Sequence, residues 1–517
     1  MPFHYKAMIL VMFITPIMFA MAKPLFTRFM SVEDFTLRRN IWLALTLAAF
    51  AIPDFWVYSL VACALMLYGV NKDSNPAAFY LLLLLVIPPV SKYVPGFGIV
   101  NYILQMNHLR LLSLVVLIPI ALKLKNRPPA PAGDAHAGRV RAADVLIVLF
   151  VAAQVTLMAP YQAISASMRS VVELTITTLL PYFVVSRAIE SREQLVDAMA
   201  CFVLTVVVLI PLAVIETLRG WVLYVGIETR WEGPHMFANL MRGDLLRAQV
   251  STGHSLVFGF ALAVALGMWS FLQSRVDSRN YRSLALLTLI TGLVAALARG
   301  PWMGALLIII LYAAMGPNAS RRMAQTITVL VVVAGVTLAS PYADKVLDYL
   351  PFVGTIDSAN STYRQQLATI SWQLIQQNPV FGSPFYIRYM EELRQGEGII
   401  DLVNSYAGLA LSYGLLGAGL FVSFFLVIGW RCFREVRRFA TFDRDMSLIG
   451  ASLLACMMGM LFMIAGVSYY LSIPYVHLAV AGLMVAYVRI AHQYEPADFA
   501  QAVPDHEMRS LTRVQSF

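Results

Sequence analysis

The chain is poor in charge. Asp, Glu, Lys and Arg together make up 13% of its 517 residues, against ~25% in an average soluble domain. Apolar residues make up 59%, and the mean hydropathy is +0.71. A soluble fold with so few polar side chains has nothing with which to cover its surface, so a soluble enzyme and a disordered protein are both excluded. Cysteine is scarce as well. Of the four, Cys63, Cys201 and Cys456 lie inside apolar runs, Cys432 sits at the edge of a basic loop, and none belongs to a CxxC pair. That excludes a disulfide framework and a cysteine metal site. The eight histidines are scattered without ligand spacing, so neither a metal nor another cofactor is expected. The apolar runs do not alternate with polar residues, which excludes a membrane β-barrel.

What remains is an all-α polytopic integral membrane protein. Since about 20 apolar residues span a bilayer, the runs near 7–22, 41–52, 55–70, 77–90, 109–122, 143–159, 171–186, 195–217, 254–272, 283–298, 301–315, 325–339, 403–430, 447–466 and 470–490 predict about 14–15 transmembrane helices. The run from Ile41 to Val70 is broken by Pro53-Asp54, which reads as a tight hairpin or as one kinked helix. The net charge of +9 needs no nucleic acid to explain it. Twenty-five of the 38 basic residues, from Lys23 to Arg513, fall in every other loop, the positive-inside pattern of cytoplasmic loops. The C-terminus is then inside. The N-terminus is outside if 41–70 is a hairpin, the preferred reading because the other choice exports Lys23, Arg28, Arg38 and Arg39. Ala20-Met21-Ala22 resembles a signal-peptidase site, but cleavage there would export the same loop, so residues 7–22 read as a first membrane helix.

By this reading the chain divides into N-terminal membrane helices at 1–122, a cytoplasmic linker at 123–142, central helices with a first long outer loop at 143–240, a region at 241–430 that holds the second long outer loop, C-terminal helices at 431–490, and a cytoplasmic tail at 491–517. Two outer loops are long, 219–253 and 340–402, and loops of that length are usually functional. Within the second, Tyr363, Leu367, Ile370, Leu374 and Ile375 recur at helical spacing until Asn378-Pro379 stops them. This predicts an amphipathic helix on the membrane surface.

Three outer-face arginines are candidates for an anion site: Arg247 before Thr252-Gly253-His254, Arg299 in a very tight turn between two apolar helices, and Arg364 at the start of the amphipathic helix. Each alone could snorkel to lipid phosphates; together on one face they suit a phosphate, which the planar guanidinium fork binds without deprotonating. His254, Glu216, Glu232, Asp244, Asp401 and Asn404 are the other polar candidates. For Asp401 the alternative is a helix N-cap. Asp197 reads as a marker of the inner interface.

Asn404, nine residues, then Gly414 and Gly417 resemble the His-Asn…Gly-x-x-Gly signature of the O-antigen ligase and polymerase superfamily. Tyr363-Arg364 followed by Asn378-Pro379-Val-Phe-Gly382, Arg247…Gly253-His254 and Ala298-Arg299-Gly300 are similar to the motifs that precede it, and the likeness extends loosely to Pro88-Pro89 and Pro95-Gly96. The resemblance implies a metal-independent, C-type glycosyltransferase-like membrane enzyme of the bacterial inner membrane. Its site would face the periplasm and take glycans on undecaprenyl pyrophosphate. Membrane lipid, a flippase and a chain-length regulator are the partners it implies, and nucleic acid is not one. Arg247, Arg299 and Arg364 would then hold the pyrophosphate, and Asn404, Gly414 and Gly417 would be structural. The glycines would let the following helix pack against a neighbour. The signature His is Val403 here, and Val accepts no proton. Either Asp401 or His254 takes the base role, or the reaction relies on leaving-group stabilisation. This favours a polymerase of lipid-linked repeat units over a ligase acting on lipid A-core or another acceptor. A lipid-linked sugar flippase is a further alternative, disfavoured because the candidates gather at one face.

Overall fold

The computed structural model describes residues 2–98, 101–126, 137–233, 236–341, 343, 348–349, 358–394 and 400–493. Residues 127–136 of the linker expected at 123–142 lie outside the described residues, as do the tail beyond Gln493 and the stretches 350–357 and 395–399 of the second long loop. Among the described residues the only sheets are two two-stranded hairpins; the rest of the regular structure is helical, as the sequence predicts.

The helices are α1 (Phe3–Phe26), α2 (Val32–Ala51), α3 (Phe55–Lys72) and α4 (Pro76–Leu83), then α5 (His108–Leu112), which runs through a π-turn into α6 (Ile118–Lys125). Next come α7 (Ala137–Met158), α8 (Ile164–Leu174), joined by a second π-turn to α9 (Leu180–Ala188), α10 (Arg192–Arg219) and the short α11 (Val225–Arg230). The second half holds α12 (Ser255–Leu272), α13 (Arg279–Ala296), α14 (Arg299–Ala314), α15 (Ala319–Leu338), α16 (Ser358–Gln377), α17 (Ser405–Phe439), α18 (Arg444–Met463) and α19 (Ile473–Gln493). Ten of the described helices are long and apolar enough to cross a membrane. The spans of α10, α12, α18 and α19 are more than four-fifths buried and form the centre, whereas α15 buries none of its residues.

The break at Pro53-Asp54 is a hairpin. Asp54 caps α3 by accepting from Trp56 N and Val57 N, and α2 and α3 lie side by side. The alternation of loops is also realised. At one end, the basic loops are tied to one another by ion pairs: Arg28–Asp277 at 2.7 Å, Arg192–Asp445 at 2.7 Å and Arg275–Asp445 at 3.2 Å. At the opposite end, Arg230 donates to Ala51 O, Thr217 to Ala295 O and Arg242 to Leu297 O. Phe3 packs on Trp221 there, so the N-terminus lies at the end away from the basic loops.

Two expectations are corrected. The apolar run 77–90 is not one helix. Helix α4 stops at Leu83, and residues 84–90 continue as irregular but wholly buried backbone. Pro88-Pro89 cannot supply helical N–H groups, and irregular backbone at this depth survives only inside protein; Ser251 Oγ donates to Leu85 O. The second correction concerns Arg38 and Asp197. Arg38 is a fully buried residue of α2 rather than a loop residue, and Asp197 is 6% exposed. Arg38 donates to both Asp73 oxygens at 2.7 Å and to both Asp197 oxygens at 2.5 and 3.0 Å. Asp197 therefore closes a buried charge network that ties α2, α3 and α10 together.

Candidate functional site

The predicted amphipathic helix is α16, and it ends at Gln377 as Asn378-Pro379 requires. All five residues of its predicted apolar face belong to one small core, separate from the main one, which also includes Met390, Leu393, Leu411 and Val403. The turn after α16 is the element that shapes the site. Gly382 (φ 69°) and Gly414 (φ 64°) both have left-handed backbone, and Gly414 breaks α17 into two helices. The two glycines meet backbone to backbone. A Cβ on Gly414 would stand 2.1 Å from Val380 O, and one on Gly382 would stand 2.6 Å from Leu411 O and Gly414 N. Leu415 N donates to Pro379 O at 2.8 Å, Leu416 N to Val380 O at 3.2 Å and Ser383 N to Leu411 O at 2.8 Å. The turn thus satisfies the groups that the kink frees. Gly414 admits a turn rather than the neighbouring helix expected. At Gly417 the close neighbour is Tyr413, just across the kink, whose Cβ would be 2.4 Å from an added methyl.

Asn404 is the N-cap of α17 and accepts from Tyr406 N and Ala407 N at 2.9 and 3.1 Å. Asp401 is therefore not the cap. It is exposed; its Oδ1 accepts from Ser468 Oγ at 2.7 Å and its carbonyl from Tyr363 Oη at 3.1 Å. Val403 turns its side chain into the small α16 core.

The loop between α18 and α19, residues 464–472, is where the candidates converge. Ser405 is stapled to it through Ile464 O and Val467 O, and Ser468 holds Asp401. Arg364, exposed on α16, brings Nη1 to 3.7 Å from the Cβ position of Gly466, and the Cβ position of Gly300, next to Arg299, is 3.9 Å from Val467. Tyr470 packs edge-on against His254, ring centroids 5.8 Å apart. The charges of Asp401 and Arg247 both act on its phenol, whose pKa burial raises most. Arg299 donates to Tyr349 O and Asp348 O at 3.1 Å each, so it also straps the second long loop to the start of α14.

His254 caps α12, its Nδ1 accepting from Leu256 N at 3.1 Å. Burial, and then the Arg247 charge, push its pKa down to about 4, so the ring is neutral near pH 7. With Nδ1 accepting, the proton sits on Nε2, which makes His254 a hydrogen-bond donor rather than a base. Asp401, the other base candidate that the sequence offers, is exposed beside the 464–472 loop. The other acidic candidates are structural: Glu216 is fully buried and accepts from the backbone N–H groups of Leu223, Gln249 and Val250, and Glu232 pairs with Lys92. Asp244 is exposed.

Beside His254 and Tyr470 lies a cavity of about 590 Å³, walled by α5, α7, the α8–α9 π-turn, α17 and the 464–472 loop. Sequence reasoning missed both this loop and the cavity residues Arg110 and Gln154. A paired Tyr469-Tyr470 between two apolar runs was the only local signal of the loop.

Residues 284–422 match the family model described as O-antigen ligase. That segment belongs to the O-antigen ligase/polymerase superfamily. No curated protein matches the chain. The O-antigen ligase segment runs from α13 into α17 and carries Arg299, Arg364, Asp401, Asn404, Gly414 and Gly417. Arg247, His254, the 464–472 loop and most of the cavity wall lie outside it. Members of this family are membrane glycosyltransferase-like enzymes, so a ligase- or polymerase-type activity is the function that the match supports.

Proposed function

We propose that the protein is a polysaccharide polymerase that joins oligosaccharide repeat units carried on undecaprenyl pyrophosphate, at the periplasmic face of a bacterial inner membrane. The gathering of Arg364 and Asp401 at the loop 464–472, with Gly300 beside Arg299 packed against the same loop, carries this reading. A polyprenyl donor lies in the bilayer and presents its pyrophosphate at the interface. The reaction joins the anomeric carbon of one lipid-linked glycan to a hydroxyl oxygen of another. The bond from that carbon to the pyrophosphate oxygen breaks, and the hydroxyl proton passes to Asp401. Negative charge grows on the departing pyrophosphate, and each donor aimed at it is worth about 10²–10³ in rate. The arginines supply that stabilisation, and His254 donates from Nε2. Val403, directed into an apolar core, supports the polymerase over the ligase, because no acceptor-activating imidazole stands at that position.

The test is a purified-protein assay with the lipid-linked repeat unit as sole substrate. A ladder of products is expected. A protein that makes no ladder but moves preformed polymer onto lipid A-core is a ligase, and that result refutes the proposal. In a deletion strain, high-molecular-weight polymer should vanish while single-repeat material persists.

A further inference from the structure

The cavity has a mixed wall that neither a lipid tail nor a phosphate explains. Gln154 faces it from α7, one turn below that helix's end at Met158, and Thr178 faces it from the π-turn. Gln154 makes no side-chain hydrogen bond among the described residues. Tyr469 Oη and Arg110 Nε are buried without a hydrogen-bond partner, although both residues line the cavity. Behind Tyr469, both ring nitrogens of the fully buried His477 are also unpartnered. Buried polar groups are normally paired, and each exception calls for a reason. Here two of the exceptions, on Tyr469 and Arg110, belong to residues that line one chamber, and neither atom has a protein complement.

Two aromatic rings complete the wall. Phe150 and Phe421 stand 5.4 Å apart and both line the cavity. An acyl or prenyl chain would use the rings and leave the amide and hydroxyls unsatisfied. A pyrophosphate would need an excess of positive charge. The one arginine in this wall, Arg110, is already matched by Glu173 at 3.1 Å, and His254 is neutral near pH 7. A polyhydroxylated ring uses both kinds of surface: its C–H face packs on the aromatics and its hydroxyls pair with amide, hydroxyl and guanidinium groups. The volume falls within the ~300–1,000 Å³ usual for small-ligand sites.

We infer that this chamber binds the saccharide part of the lipid-linked substrate, through Gln154, Thr178, Tyr469 and Arg110 with the exposed edges of Phe150 and Phe421 as the apolar part of the wall, while the pyrophosphate stays at the arginines around the loop 464–472. The inference rests on the polymerase reading and adds a sugar site built mostly outside the O-antigen ligase segment.

The test uses full-length protein in detergent and two probes: the repeat-unit oligosaccharide released by mild acid from the lipid-linked material of a deletion strain, and undecaprenyl pyrophosphate without sugar. Binding of each is titrated for wild type, Gln154→Leu, Thr178→Val and Arg299→Ala. The first two variants keep side-chain size and remove only polarity, so folding is preserved. Both should weaken oligosaccharide binding at least tenfold and leave undecaprenyl pyrophosphate binding unchanged; Arg299→Ala should do the reverse. Oligosaccharide binding that is undetectable in wild type, or unaltered in both cavity variants, overturns the inference. So does loss of undecaprenyl pyrophosphate binding in Gln154→Leu, which would make the chamber a headgroup site. If Arg299→Ala binds undecaprenyl pyrophosphate normally while the cavity variants lose the sugar, the arginine assignment fails and the chamber stands.

Discussion

Replacing Gly414 by Ala tests whether the docked turn at 379–383 is what shapes the site. At φ 64° and ψ −170° the backbone occupies a region that is essentially restricted to glycine, where another residue costs about 1–3 kcal/mol. The methyl would also stand 2.1 Å from Val380 O, a backbone atom that cannot rotate away. The strain is relieved if the turn lifts off. Undocking forfeits three backbone hydrogen bonds, from Leu415, Leu416 and Ser383, at about 0.5–1.5 kcal/mol each. The docked state is therefore held by about 1.5–4.5 kcal/mol from these bonds, and strain plus steric overlap are of the same size. A shift of ~3 kcal/mol changes the docked-to-undocked ratio by about a hundredfold, enough to displace α16, and Arg364 with it, in most molecules. Gly382→Ala attacks the same contact from the other side and should give the same loss. The double variant should be scarcely worse than either single one, because residues sharing one contact are not additive. Product yield in the ladder assay, normalised to membrane abundance, is the readout, with protease sensitivity between residues 378 and 384 reporting undocking. Near wild-type yield and protection in Gly414→Ala would refute the reasoning, and so would fully additive losses in the double variant.

Further outcomes are expected. Arg299→Ala and Arg364→Ala should abolish polymer while the protein still accumulates in the membrane, with Arg247→Ala following them; lysine should rescue only in part, because a point charge does not reproduce the fork. Wild-type yield in all three alanine variants would remove the pyrophosphate site. The lowered pKa of His254, about 4, means the folded state favours the neutral ring. Its contribution to stability is complete above the ordinary value near pH 6.5 and declines as the pH falls towards 4. Activity from about pH 5.5 to pH 8 should carry no His254 ionisation, so His254→Gln should change the rate but not the shape of the profile; a limb near pH 6.5 that disappears in the variant would contradict this. Arg38→Met leaves Asp73 and Asp197 buried together without their cation, a loss of about 3–5 kcal/mol. Melting in detergent should fall sharply and recover when both aspartates become Asn. A melting temperature equal to wild type would show the network to be dispensable. A cysteine at 380 should react with an impermeant reagent in intact cells and one at 441, exposed at the opposite end, should not; the opposite pattern would invert the topology.

Composition and charge placement alone determined that this is a helical membrane protein, where most of its helices run, though not the break after Leu83, and which loops share an end. Those properties depend on burying each apolar run and on the asymmetry of Lys and Arg, and both are local. The face of α16 was legible for the same reason: Tyr363, Leu367, Ile370, Leu374 and Ile375 lie at a period that one helix imposes. The glycines at 414 and 417 were legible as a motif but not as a mechanism. The meaning of Gly414 depends on Pro379–Ser383, a turn more than thirty residues away in the chain that fills the kink, whereas Gly417 meets only Tyr413 nearby. Arg38 read as a loop residue and Asp197 as an interface marker because nothing local shows that α2, α3 and α10 close around them. The loop 464–472 and the chamber beside it were invisible for a related reason. A binding site for a polar ligand is made of single side chains from many elements, Arg110 from α5, Gln154 from α7, Tyr469 from the last loop. None carries a periodic signal, and only the packing of the helices brings their unpaired polar atoms together.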